Sequence, residues 1–288
     1  FRVINGSADF SSGGAMNINI NNQVEVIRVW FEDNTADSGG AIYASALSEL
    51  SITDSVFTGN AAVSQGAAVT TFSPAEINKS TFFGNLNFNN AFRETIFIGL
   101  DIFGVTGLTL KNSTVFDNAD TGIYAVAADL TIINSTIANH SHRGLSINPT
   151  ATVTPDLNIR NSIFFQNNQH CGFGAVNIMT ENWNIADDTF CGSAPVGEPT
   201  NLLEDPKLTS LKVDAENWHR YYRPGFFSPV VDSANPITSG AGTGCDLEDQ
   251  RGVMRAQDGD HDGVARCDRG AIELSEDIIF FDDFDILY

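Results

Sequence analysis

Basic residues are scarce in this 288-residue chain: 15 Lys and Arg stand against 36 Asp and Glu, a formal net charge of -21. Such a surface repels phosphate backbones and anionic membranes, so nucleic-acid binding is excluded as a function class, and an anionic ligand would need a local basic patch. No apolar run reaches the length of a membrane span. The first residues, Phe1-Arg2-Val3-Ile4-Asn5, lack the basic start and apolar core of an export signal and read as a strand within a repeat. Cysteine is also sparse, and Cys171, Cys191, Cys245 and Cys267 lack the paired close spacing of a zinc site. Three pairings are open to four cysteines. The economical one, Cys171–Cys191 with Cys245–Cys267, implies an oxidising compartment.

Helical periodicity is missing too, and a β-rich repeat takes its place. Five segments share a pattern: Asp54-Ser-Val-Phe-Thr-Gly-Asn60, Lys79-Ser-Thr-Phe-Phe-Gly-Asn85, Asn112-Ser-Thr-Val-Phe-Asp-Asn118, Asn134-Ser-Thr-Ile-Ala-Asn-His140 and Asn161-Ser-Ile-Phe-Phe-Gln-Asn167. An earlier copy ends at Asn34. The final positions lie 26, 25, 33, 22 and 27 residues apart, about one turn of a three-sided β-helix. Small residues follow each copy, as in Gly39-Gly40-Ala41-Ile42 and Gly66-Ala67-Ala68-Val69, and alternating runs such as Leu108-Thr-Leu, Leu130-Thr-Ile and Leu157-Asn-Ile supply a further strand per turn. Turns stacked about 4.8 Å apart bring like residues into register, where an amide can bond to the amides above and below. The expected fold is all-β, a right-handed parallel β-helix over residues 1–180 with a C-terminal capping module over 181–288. About seven turns give a rod on the order of 35 Å long.

Phe31-Glu-Asp-Asn34 followed by Gly39-Gly40-Ala41-Ile42 resembles the repeats of polymorphic outer-membrane proteins and related bacterial β-helix passengers, a resemblance that covers roughly residues 1–180. Later copies depart from it, and the fourth turn has Asn90-Ala91. Such helices serve as adhesins and as polysaccharide-cleaving enzymes, so the likeness implies fold more than activity. Beyond residue 180 the series Ser228-Pro-Val-Val-Asp232, Asp249-Gln-Arg-Gly252 and Cys267-Asp-Arg-Gly-Ala-Ile-Glu273 is similar to the C-terminal choice-of-anchor Q modules of bacterial secreted proteins, over roughly 200–274. The tail Ile278-Ile-Phe-Phe-Asp-Asp-Phe resembles their acidic-aromatic endings. This implies an exported, secreted or surface-attached protein and assigns no catalyst. Open solenoid ends invite edge-to-edge aggregation, so the expected job of this third is to cap the rod.

Two sets of residues carry candidate chemistry. Asp258, Asp260 and Asp262 alternate ahead of Gly263, a pattern suited to a hard cation, with Asp268 as a late ligand. Arg269 stands where a calcium hand has Glu, so the expected occupant is a structural calcium in a shorter loop. Counting from the Asn positions places Asp120 beside His142 and Arg143 beside His170. In a lyase, Arg143 would neutralise a uronate carboxylate and His142 would abstract a proton. A solvated surface cluster is the competing reading. A glycosidase pair is disfavoured on this face, because Glu32 and Asp33 are followed by no acid until Asp117, three turns on. Trp218, His219, Tyr221 and Tyr222 either stack on sugars or pack the cap onto the rod. The expected protein is a monomeric, non-catalytic β-helix in contact with carbohydrate or cell-surface components. A polysaccharide lyase is the alternative.

Overall fold

The computed structural model describes residues 1–88, 94–99, 106–118, 121–191, 201–214, 218–225, 227–235 and 244–275. Among them are 29 strands and no helix. Successive turns of one coil contribute their strands to four parallel sheets. Sheet 1 has seven strands, beginning with Gln23–Ile27; sheet 2 has nine, beginning with Arg2–Ile4 and Trp30–Glu32; sheet 3 has four, including Thr35–Ser38; sheet 4 has seven, including Ile42–Ala44. The stacking runs on past residue 180, since Ile185–Ala186 and Leu202–Leu203 close sheet 2.

The repeat sequence maps onto this coil residue by residue. Its first position turns the corner between sheets 1 and 2 in the left-handed region, with φ of 53° at Asp54, 49° at Lys79, 44° at Asn112, 48° at Asn134 and 51° at Asn161. Asn and Asp tolerate that conformation better than most residues, which accounts for their recurrence. The Ser that follows donates its hydroxyl two residues back, as Ser80 does to the Asn78 carbonyl (2.9 Å), and accepts the amide of the Ser one turn earlier, Ser55 N to Ser80 Oγ (3.2 Å). The strand then points alternate residues inward. Phe31, Phe57 and Phe82 stack in the core with centroids 4.8 and 4.5 Å apart, and Val115, Ile137 and Phe164 continue the row.

The last repeat position forms the ladder. Asn34 Nδ2 donates to Asn60 Oδ1 (2.9 Å), Asn60 to Asn85 (3.0 Å) and Asn85 to Asn118 (3.0 Å). Each acceptor oxygen also takes the backbone amide of the turn before it, as from Asn60 N to Asn85 Oδ1 (3.1 Å). Every one of these side chains is buried. Where the row reaches His140, the imidazole continues it: Nε2 lies 3.4 Å from Asn118 Nδ2 and Nδ1 lies 2.8 Å from Asn167 Oδ1. An imidazole that accepts from Asn118 and donates to Asn167 is neutral, and burial drives its pKa down from 6.5 to about 4.

The C-terminal third lies along the side of the rod. Position three of the repeat points outward from sheet 2, and the chain beyond residue 205 is laid across that row. Gln250 bonds Thr81 Oγ1 through Nε2 (2.6 Å) and Thr114 Oγ1 through Oε1 (2.5 Å). The Ala271 amide reaches Thr136 Oγ1 (3.2 Å), the Gly270 amide reaches the Asn161 carbonyl (2.7 Å), and Arg269 Nη1 reaches the Asn184 carbonyl (2.5 Å). The outward aromatic row beside the threonines is covered too. Tyr222 meets Phe116 and Phe165 edge-on (5.5 and 6.4 Å), and the Arg220 guanidinium lies 4.3 Å over Phe83. With the bond of His219 to Asp54 (2.9 Å), these contacts extend from an early turn to Asn184 in a late one, so the described residues of the third form a strap along the turns. Disulfides Cys171–Cys191 and Cys245–Cys267 tie the last turns and the strap. Each closes a loop of a size for which about 3 kcal/mol of stabilisation is typical.

Two outcomes follow. Protonating His140 would break its acceptor link, and the unfolded chain binds that proton more readily. Stability is therefore lost as pH falls from 6.5 towards 4, by on the order of 3 kcal/mol from this group. Urea midpoints of the protein and of His140→Asn should diverge between pH 7 and pH 5, the variant losing less; a constant gap contradicts the ladder assignment. Tyr222→Ala removes the edge contacts to Phe116 and Phe165 and should lower unfolding free energy by about 2 kcal/mol, with an unchanged melting curve as the opposing result.

Candidate functional site

Among the described residues, outward positions of sheet 1 make an extended open face. Its central row runs Glu25, Ser51, Glu76, Thr109, Thr131, Asn158 in successive turns. Thr109, Thr131 and Asn158 are the middle residues of the alternating Leu-Thr-Leu, Leu-Thr-Ile and Leu-Asn-Ile runs, so their outward aim follows from strand periodicity. A groove of about 650 Å³ crosses this face, flanked by Gln23, Glu49 and Asp129. Gln23 Nε2 holds the Glu49 carboxylate (2.8 Å), and Lys111 Nζ holds Glu76 (3.1 Å). Carboxylates and hydroxyls repeated every turn present acceptors and donors at strand spacing, about 4.8 Å.

The second candidate region is the His142, Arg143 and His170 segment. Strand pairing sets Thr121 against Arg143 and Arg143 against Gln169, and Arg143 Nε donates to Gln169 Oε1 (2.9 Å). The expected partner, His170, is thus displaced by one residue, because the corner after Asn167 is one residue shorter than that after His140. Such a slip turns a side chain to the opposite face. His170 is 2% exposed; its Nδ1 accepts from Asn167 Nδ2 (3.1 Å), and its Nε2 lies 2.8 Å from Asp187 Oδ1. Burial lowers its pKa despite the neighbouring Asp187 carboxylate. His142 is exposed and passes its carbonyl to the Gln169 amide (2.9 Å). Asp120 lies outside the described residues, as do Asn90, Ala91 and the 278–284 tail.

An acid–imidazole–hydroxyl series does occur elsewhere. Asp54 Oδ1 lies 2.9 Å from His219 Nε2, and His219 Nδ1 lies 2.9 Å from Thr81 Oγ1. Burial raises the Asp54 pKa, but His219 and Arg28 outweigh it and hold the carboxylate below its ordinary value. His219 and Thr81 are both 0% exposed, and Gln250 already occupies the hydroxyl. No substrate reaches that oxygen, so the series fastens the strap. Within the aromatic segment His219 and Tyr222 pack against the rod, whereas Trp218 is exposed.

The acidic loop has a different composition from the one expected. Carboxylate oxygens of Asp232, Asp258 and Asp260 lie within 4.8 Å of one another. Asp258 Oδ2 accepts the Gly263 amide (3.0 Å), while its Oδ1 is shielded and without a protein partner. Asp232 accepts the Asp260 and Arg266 amides (2.9 and 3.1 Å), and burial raises its pKa. Asp262 turns aside to Arg266 (3.3 Å). Asp268 faces inward and takes the amides of Asp232 (2.8 Å) and Leu274 (2.6 Å). Burial and the adjacent Glu273 carboxylate push Asp268 well above its ordinary pKa. Local spacing does not reveal Asp232, although it closes the Ser-Pro-Val-Val-Asp series.

Those C-terminal motifs form a buried polar knot. Asp249 holds Arg251 (2.7 Å), and Glu273 pairs with Arg255 (3.3 Å). Arg255 also reaches Asn112 Oδ1 (3.0 Å) on the rod. Among the described residues no helix is long and apolar enough to cross a membrane.

Residues 89–190 match a family described as a right-handed β-helix region. No curated protein and no solved structure matches the chain. The stacked parallel coil and this match together show that the chain has a right-handed parallel β-helix fold.

Proposed function

We propose that this protein is a non-catalytic, secreted or cell-surface β-helix whose open sheet 1 groove contacts neutral or cationic glycan. The observation that carries the proposal is the polar row Glu25, Ser51, Glu76, Thr109, Thr131 on a rigid face, flanked by further acids. Rigid hydroxyl and carboxylate acceptors suit sugar hydroxyls and amines, and the net charge of -21 disfavours long polyanions. Two disulfides fit an oxidising compartment. The C-terminal motif series supports a bacterial exported protein of the choice-of-anchor kind, and the strong negative charge supports a monomer.

Titration of the whole chain with cellohexaose and with a chitosan hexamer should show binding of at least one, weakened tenfold or more by Thr109→Arg, which fills the groove. Absence of binding to both, or equal affinity in the variant, overturns the proposal. Release of unsaturated products from a uronate polysaccharide, abolished in His142→Ala with Arg143→Ala, would replace it with the lyase reading.

The second part of the proposal is a structural calcium held by Asp232, Asp258 and Asp260, with the shielded Asp258 Oδ1 among its ligand oxygens. Three carboxylates so close repel one another unless a cation sits between them. Chelation should lower the melting temperature by several degrees with the room-temperature circular dichroism unchanged, and Asp258→Asn should abolish the calcium response. Identical melting with and without chelator contradicts it.

A further inference from the structure

We infer that the cleft between Trp30 and Trp218 binds a carboxylated sugar residue, at a site separate from the sheet 1 groove. The cleft measures about 480 Å³ and is lined by Arg2, Arg28, Trp30, Asp54, Val56 and Trp218. Its two indoles are 5.5 Å apart and inclined at 38°, packed on each other, so the surface offered to the flat C–H face of a pyranose is the exposed face of Trp218 at the mouth of the cleft. Trp218 is 57% exposed, so this ring contributes little to the core for its size. It also sits at φ 61°, a strained backbone for a bulky residue. A large aromatic held into solvent on such a backbone points to a contact with something outside the chain.

The charge of the cleft identifies the occupant. Two of the 15 basic residues of this acidic protein line it. Arg2 lies 4.5 Å over the Trp30 ring and is paired with Glu32. Arg28 has a side chain 79% exposed and joins Asp54 only through Nε (3.1 Å), leaving the two terminal nitrogens of its guanidinium for a ligand. A planar fork beside the exposed Trp218 face suits a ring bearing a carboxylate, which the two terminal nitrogens of the fork take in two parallel hydrogen bonds. The surrounding negative charge limits this to a chain end or short oligosaccharide, since a long polyanion is repelled elsewhere on the surface.

Tryptophan fluorescence and calorimetric titration with trigalacturonic acid and its methyl ester test the assignment. The acid should bind at least tenfold more tightly than the ester, with affinity falling as salt rises. Trp218→Ala should weaken both ligands tenfold or more, whereas Arg28→Gln should remove the preference for the acid. Lys207→Gln, at an exposed lysine outside both sites, should leave both affinities unchanged, which separates the role of Arg28 from a change in net charge alone. Circular dichroism melting of each variant checks that the fold is retained. No binding of the acid at millimolar concentration, equal binding of acid and ester, or wild-type affinity in folded Trp218→Ala would overturn the inference.

Discussion

Each turn of this protein is held to the next by an amide side chain with no solvent to fall back on. The oxygen of a ladder Asn accepts two donors from the preceding turn, and its nitrogen donates onward. Replacing one member by an apolar residue strands several buried groups at once, and each stranded group typically costs 1–3 kcal/mol. Stacked Phe31, Phe57 and Phe82 add apolar burial alongside, but it is the amide row that fixes register, because a slip of one residue would turn every inward side chain outward. The Ser row on the other side of sheet 2 repeats the device with hydroxyls. Between these two rows the short strands have little freedom to shift.

That constraint explains where function can sit. Sheet 2 is locked from inside by the ladder and from outside by the strap, so its outer threonines serve attachment and are closed to ligands. Sheet 1 carries longer strands, and among the described residues nothing from the strap is laid over its Glu25 to Thr131 row, which leaves the polar groove open there. The Trp cleft forms where sheet 2 emerges from under the strap near Asp54. Motifs in the C-terminal third that look chemical in sequence, such as Asp-Gln-Arg-Gly and Cys-Asp-Arg-Gly-Ala-Ile-Glu, are consumed in fastening. Gln250 bridges two threonines, Arg269 reaches a rod carbonyl, and Asp249 and Glu273 hold the arginines that position them.

The repeat was legible in sequence because stacking demands identity at fixed positions, and all six final positions, His140 included, stand in the ladder. The same reasoning could not place His170. Register across a corner depends on its length, and one residue fewer after Asn167 turned the imidazole inward. The acidic loop was half legible. Asp258 and Asp260 gather as their spacing implies, but Asp232 arrives from a distant segment and Asp268 is drawn away by backbone amides, neither of which local spacing encodes. The C-terminal third, expected as a cap folded back on the rod, runs as a strap along the turns in its described residues. Its lateral course depends on outward threonines that in sequence look like ordinary β-formers.

The central structural claim is that ladder and strap form one cooperative body. Native-state hydrogen exchange tests it most directly. The amides of Asn60, Asn85 and His140, bonded to ladder oxygens, should exchange only by global unfolding, and the strap amides of Gly270 and Ala271 should share their opening free energy. Fast exchange at Gly270 and Ala271 while the ladder amides stay protected would contradict the account and make the C-terminal third a loosely attached appendage.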